Sequence, residues 1–275
     1  MIKTSLIIGT SDMPKSHLVN VFTGELEENI SRTSLLGYDG VELIIGDPDS
    51  FDSNRLEKAL TDNKMVLACI NSYRMVSEFG LSLIHPEENK RLEAFEKLQS
   101  IIKIAGRFKC YFNIGLFRGK AIEGKPIAYS RDMFIEIMKE VCDFAEKYKV
   151  DINLEPTNRF EINFINSTDE GIEIIEKVNR PNFGLLLDLY HMYIEDRDME
   201  KSIRKSKYYV KHIHFSDSDR WPPGVSNGVI DFVTIMKILK EINFNGFLSE
   251  VLVPTENVDE FAKKTAYFLK KLIDK

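Results

Sequence analysis

Four side chains able to bind a metal or carry a proton stand at the ends of short apolar runs. Glu155 closes the run in "INLEPTNRFE", Asp188 that in "FGLLLDLYH", His214 lies in "VKHIHFSD", and Glu250 in "GFLSEVLVP". A charge at the inner end of a buried strand is costly to desolvate unless it is paired or bound to a metal. Taken singly, such an acid commonly caps the next helix or pairs with a cation. Taken together, three carboxylates and an imidazole form a hard donor set. It suits Mn²⁺, Mg²⁺ or Co²⁺ better than a thiolate-type zinc site. A cation would also relieve the repulsion that otherwise forces one of three crowded acids to protonate. Other polar residues follow at short range: Glu161 six after Glu155, His191 three after Asp188, and Arg220 six after His214. A histidine and an arginine are natural donors toward an oxygen-rich ligand. His212 shares strand parity with His214, and Glu42 in "GVELII" is a candidate for metal-site support or substrate contact. His17 and His85 read as loop residues.

The elements that must position these groups alternate along the chain. Apolar runs at "SLIIGT", "GVELII", "MVLACINSY", "CYFNIG", "DINLEP", "FGLLLDL", "YVKHIHFSD" and "GFLSEVL" are each followed by a helical pattern. The fourth helix pattern repeats Phe134, Ile137, Val141, Phe144 and Tyr148 on one face. The third carries Leu92, Phe95, Leu98, Ile102 and Ala105, and the fifth opens with a capping box, Ser167 to Glu170. Strict alternation predicts a parallel sheet with crossover helices. Eight such units predict an α/β fold of the (β/α)8 TIM-barrel type, a single domain over residues 1–275. Strands five to eight are then neighbours, and Glu155, Asp188, His214 and Glu250 converge at the C-terminal face of the barrel, where barrel enzymes keep their sites. The helix-poor stretches "LFRGKAIEGKPIA" and "SDRWPPGVSNGVI" fall on that face. Arg118 and Lys120 in the first are candidates to meet a phosphate; the acidic "PTENVDE" after strand eight speaks against the usual barrel phosphate site.

Composition narrows the class. The chain has 275 residues, 43% hydrophobic and 29% charged, with a formal net charge of −6. An acidic balance gives no general attraction to polyphosphates, so no nucleic-acid partner is expected. The three cysteines are widely spaced and indicate neither a disulfide framework nor a zinc site. No run reaches the ~20 apolar residues of a membrane span, and "MIKTSLIIGT" reads as a first strand, not a signal peptide. A cytoplasmic setting is the expectation; self-association stays open.

The stretches "GYDGVEL", "LEPTNRFE", "LLLDLYHM", "HIHFSDSDRWPPG" with "GVIDF", and "GFLSEV" resemble the xylose isomerase-like barrel superfamily. They are most similar to its sugar isomerase/epimerase branch, which includes ketose 3-epimerases of the tagatose/psicose type. The resemblance implies one divalent ion, usually manganese, on Glu155, Asp188, His214 and Glu250, with zinc disfavoured. It implies contacts from Glu161, His191 and Arg220 to substrate oxygens. The implied partner is a small sugar or sugar phosphate. The chemistry that fits is proton abstraction next to a ketose carbonyl through a metal-stabilised enediolate. One carboxylate removes the proton and one on the other face returns it; Glu155 and Glu250 are the expected pair. Two further classes stay open: an abasic-site endonuclease of the same superfamily and a non-catalytic sugar-binding barrel. Against the first, Asn71 and Asn113 stand where further zinc ligands would be wanted. The tryptophans that commonly meet the sugar's far end in that branch have no counterpart except Trp221, elsewhere in the chain.

Overall fold

The structure is a computed structural model that describes residues 1–10, 22, 24–225, 227–251 and 257–275. His17 and residues 254–256 of the acidic loop lie outside them. The strands are β1 (Lys3–Gly9), β2 (Gly40–Ile44), β3 (Val66–Asn71), β4 (Tyr111–Asn113), β5 (Ile152–Leu154), β6 (Phe183–Asp188), β7 (Val210–Phe215) and β8 (Phe247–Glu250). Each pairs in parallel with the next, and β1 with β8, so the expected barrel closes. The helices outside it are α1 (Leu26–Leu36), α2 (Ser53–Asp62), α3 (Tyr73–Ser77), α4 (Glu88–Phe108), α5 (Ile127–Glu146), α6 (Thr168–Val178), α7 (Leu189–Glu195), α8 (Met199–Lys205), α9 (Phe232–Glu241) and α10 (Val258–Asp274).

Local sequence accounts for most boundaries. The capping box that opens α6 is formed: the Glu170 amide donates to Ser167 Oγ, and the Ser167 amide donates to Glu170 Oε2. Asp52, Asp198 and Asp231 cap α2, α8 and α9 through a side-chain oxygen that accepts from first-turn amides. The α4 face departs from expectation. Ala94, Leu98, Ile101 and Ala105 are buried, whereas Leu92 is 59% exposed. At 100° per residue Leu92 stands about 160° around the helix from Ala94, off the buried stripe. The short helices α3 and α7 were not anticipated, and α7 carries His191.

Arg118 also differs from expectation. It lies in a 3₁₀ turn after β4 (Gly115–Arg118) and has no exposed surface. Its guanidinium donates to the backbone carbonyls of Gly115, Glu155, Phe164 and Ile165. Those carbonyls take four of its five N–H donors, so it braces the β5 loop and, fully buried, is not presented to a phosphate. Its rigid planar fork suits this bracing role better than a lysine would.

Candidate active site

The interior of the barrel holds a ladder of hydrogen bonds. At the bottom Ser5 Oγ meets Ser249 Oγ at 2.5 Å, and Ser249 Oγ meets His212 Nε2 at 2.8 Å. The same His212 nitrogen lies 2.9 Å from Glu42 Oε2. The other Glu42 oxygen is 3.0 Å from His214 Nε2 and accepts from Asn71 Nδ2 at 3.1 Å. Above it, His214 Nδ1 is 3.1 Å from Glu155 Oε1 and 3.6 Å from Asp188 Oδ2. Burial alone would push Glu42 toward the neutral acid. The two imidazoles outweigh it and hold Glu42 well below the ordinary carboxylate range. Burial opposes charge on His214 too, but Glu42 and Glu155 raise it well above the usual value. Glu42 thus backs His214 as an outer carboxylate orients a ligating imidazole. The sequence had marked both Glu42 and His212; the pairing across the barrel was not visible there.

Glu155 is fixed on both oxygens. Oε1 faces His214, and Oε2 accepts from Asn113 Nδ2 at 2.7 Å. Gly115, at φ +44°, makes room: a Cβ there would lie 3.0 Å from Glu155 Oε2. Asp188 has two functions. Its Oδ1 caps α7 by accepting from the amides of Tyr190 and His191, while Oδ2 accepts from Arg220 Nη1 at 2.5 Å. Arg220 has φ +67°, uncommon for a residue with a Cβ, and its guanidinium lies over the Tyr190 ring.

Hydrogen bonding sets the tautomer of His191. Asn158 Oδ1 accepts from the Phe160 amide, which orients the Asn158 amide group. Its Nδ2 therefore donates to Glu161 Oε1 at 2.9 Å and to His191 Nδ1 at 2.8 Å. That leaves the proton of the neutral ring on Nε2, which lies 3.8 Å from Asp188 Oδ2. Burial lowers the His191 pKa, in keeping with a neutral ring. His191 is thus a donor toward the cavity. Asn158 is a positioning residue that sequence reading missed; the only signal was its place in "TNRFE".

Glu250 is not brought to the other three. Cα partners in a parallel ladder point to the same side, and Glu250 is in register with Phe215 and Leu6, both packed in the hydrophobic core. Ser249, in register with His214 and Ser5, is the residue that faces the interior. The Glu250 carboxyl instead turns to the helix layer, where Oε2 pairs with the Tyr38 hydroxyl. Burial pushes its pKa well above the carboxylate range. The residue that lines the cavity at this point is Val251, immediately after β8. Glu250, expected as fourth ligand and second base, is thus not brought to Glu155, Asp188 and His214: strand parity places it one residue out of step.

The cavity, about 190 Å³, is lined by Glu155, Glu161, His191, His214 and Arg220 on one side, with Tyr73, Tyr190 and Val251 among the rest. A larger one of about 790 Å³ shares Leu116 and Glu161 with it and takes in Lys120 and Lys125. Trp221 packs edge-on against Phe261 and is not among the residues lining either cavity. The donor set fits a hard divalent ion. Ligand atoms of Glu155, Asp188 and His191 lie within 4.8 Å of one another. His214 Nδ1, set against the same two carboxylates, is the better placed nitrogen: Glu42 takes the Nε2–H, so a bound cation would need to displace only the Nδ1 proton. Glu42, Cys69 and His212 make a second compact group beneath. Burial holds that thiol protonated, and the two imidazoles occupy Glu42.

Residues 30–272 match the xylose isomerase-like TIM barrel family, and the chain belongs to that family. A ketose 3-epimerase of Arthrobacter globiformis is 27% identical over 258 residues, spanning 85% of this chain and 83% of the relative. A D-psicose 3-epimerase of Ruminiclostridium cellulolyticum is 29% identical over 231 residues, spanning 79% and 74%. The solved structure of a D-psicose 3-epimerase with D-tagatose from Clostridium cellulolyticum shares the fold, with a TM-score of 0.82 at 22% identity over 98% of this chain and 99% of that one. Among the described residues no helix is long and apolar enough to cross a membrane.

Proposed function

We propose that the chain is a divalent-metal-dependent sugar isomerase/epimerase that moves a proton next to the carbonyl of a ketose. The observation that carries this is the convergence of Glu155, Asp188 and His214, with Glu42 behind His214. Glu155, Asp188 and His214 are the residues that would hold the ion, with Mn²⁺ the favoured one and Mg²⁺ or Co²⁺ the alternatives. Such an ion supplies Lewis-acid stabilisation of the negative charge that develops on the carbonyl oxygen. Glu155 is the base: its pKa is lowered by His214 against the opposing effect of burial, so it is ionised at neutral pH. Arg220 and the Nε2–H of His191 orient substrate oxygens, and Glu161, held by Asn158, accepts from a sugar hydroxyl. The sugar names of the relatives support a ketose as substrate. A multi-zinc phosphodiesterase is less well supported, because the Asn71 and Asn113 amides are already bonded to Glu42 and Glu155.

The test is proton exchange. Ketoses incubated with the protein and Mn²⁺ in D₂O are expected to take up deuterium next to the carbonyl, and Glu155→Gln to abolish it. Absence of exchange into every free and phosphorylated ketose tried would overturn the reading.

A further inference from the structure

Beside the catalytic cavity of about 190 Å³ lies the larger one of about 790 Å³. Pockets that hold a whole small-molecule ligand run from roughly 300 to 1,000 Å³, so the larger space is of ligand size and the smaller is not. They meet at Leu116 and Glu161, which line both. The walls of the larger one come from the chain after β3, β4 and β5. Hydrogen bonds tie those segments together. The Leu83 amide donates to the Phe117 carbonyl at 2.9 Å and the Ile84 amide to the Arg118 carbonyl at 3.3 Å. The Ala121 amide donates to Asn163 Oδ1 and the Ile122 amide to Ser130 Oγ, each at 2.9 Å. Gly119, at φ +96°, allows the close approach: a Cβ there would lie 2.8 Å from Ile84 Cγ1. The space is therefore formed in advance of any ligand. Val76, Leu81, Ile84, Ile122, Ile127 and Ile162 give it an aliphatic lining. Its charges are matched, Lys120 and Lys125 against Glu123 and Glu161, so it has no net positive field for a phosphate. None of the described residues lining it is Phe, Tyr or Trp, the flat rings on which a second sugar would stack.

We propose that the larger cavity receives an apolar substituent of the substrate, so that the chain prefers a ketose carrying an alkyl-like group at the end remote from its carbonyl over a free or phosphorylated one. The inference rests on the proposed ketose chemistry and deepens it by naming the substrate class. The reacting end of the sugar is held at Glu155, Asp188 and His214, so the substituent leaves from the far end and passes between Leu116 and Glu161. Glu161, whose Oε1 is fixed by Asn158 at 2.9 Å, then stands at the junction of the polar and the apolar part. Ile127 is 49% exposed on the cavity wall, an aliphatic surface that such a group would cover. Each methylene moved there from water tightens binding by up to about fourfold. Because the walls are tied in place beforehand, little of that gain is lost to ordering them.

The experiment compares ketoses that differ only at the far end. Fructose, its 6-O-methyl, 6-O-butyl and 6-O-hexyl ethers, its 6-phosphate and its 6-O-glucoside are incubated with the full chain and Mn²⁺ in D₂O. Deuterium uptake next to the carbonyl gives kcat/KM for each. It is expected to rise from the methyl to the hexyl ether by on the order of tenfold or more, and the hexyl ether is expected to exceed the phosphate and the glucoside. Exchange with no dependence on alkyl length, or with the phosphate or the glucoside preferred, overturns this inference and leaves the ketose reading intact. Exchange into none of the six, the ethers included, overturns both. Ile127→Asp places a charge on the apolar wall. Ile127 is the first residue of α5, where an acid favours the helix, so the variant is expected to fold, as circular dichroism would show. Its ratio of hexyl to methyl kcat/KM is expected to fall at least about threefold; an unchanged ratio would overturn the placement of the substituent. Should the variant not fold, the series on the wild-type protein still decides.

Discussion

Replacing Glu250 by glutamine tests the strand parity on which the site depends. The carboxyl is buried, and Tyr38 Oη is paired both with its Oε2 and, at 2.8 Å, with the Ala262 carbonyl. A phenol has one proton, so it donates to only one of the two. If it donates to Ala262, a protonated Glu250 completes the chain by donating to the phenol oxygen. This arrangement agrees with the raised pKa, whose main cause is burial. In the unfolded chain the group ionises near its ordinary value of about 4.3. Above that pH the folded state holds a proton that the unfolded state has lost. The contribution to stability is then complete below pH ~4.3 and falls as pH rises toward the folded value. The slope is about 1.4 kcal/mol per pH unit for one proton. Glutamine is neutral throughout, so Glu250→Gln is expected to lack this decline. The assay is urea unfolding of both proteins at half-unit steps from pH 4.5 to 8, with the difference in unfolding free energy plotted against pH. The difference should move in favour of the variant as pH rises, approaching the one-proton slope, and Mn²⁺ affinity should be unchanged. Parallel profiles, or a loss of Mn²⁺ binding in the variant, would refute the outward placement.

Further outcomes concern the site itself. Glu155→Gln should lower proton exchange by about 10²–10⁴-fold with Mn²⁺ saturating, since a general base is removed; wild-type exchange would move the base elsewhere. Glu42→Gln should weaken Mn²⁺ binding by roughly 10–100-fold, although Glu42 touches the ion only through His214; unaltered affinity in calorimetry would sever that link. His191→Ala should raise KM and leave Mn²⁺ affinity near wild type, because its Nε2 carries a proton; metal loss would make it a ligand. Gly115→Ala should cost about 1–2 kcal/mol for its left-handed backbone and slow exchange by crowding Glu155 Oε2. Normal kinetics would show that the carboxylate has room to move.

Much of the fold was legible because the period of apolar runs is local. Eight strand-and-helix units fix a ring, and a ring fixes which strand ends are neighbours. That suffices to bring Glu155, Asp188 and His214 together, and the parity of His212 with His214 follows from the two-residue repeat. Three matters needed the tertiary structure. The pairing of Glu42 with His212 and His214 spans 170 and 172 residues, and nothing local to either segment encodes it. The donor state of His191 depends on Asn158, whose amide is oriented only once the loop after β5 has closed. The side taken by Glu250 depends on register with β7 and β1. "FLSEV" is consistent with either face, because a strand buried on both sides has no polar alternation to mark the inner one. Hydrogen bonding to its neighbours sets Ser249 beside His214, and the side-chain period of two then turns Glu250 out and Val251 in.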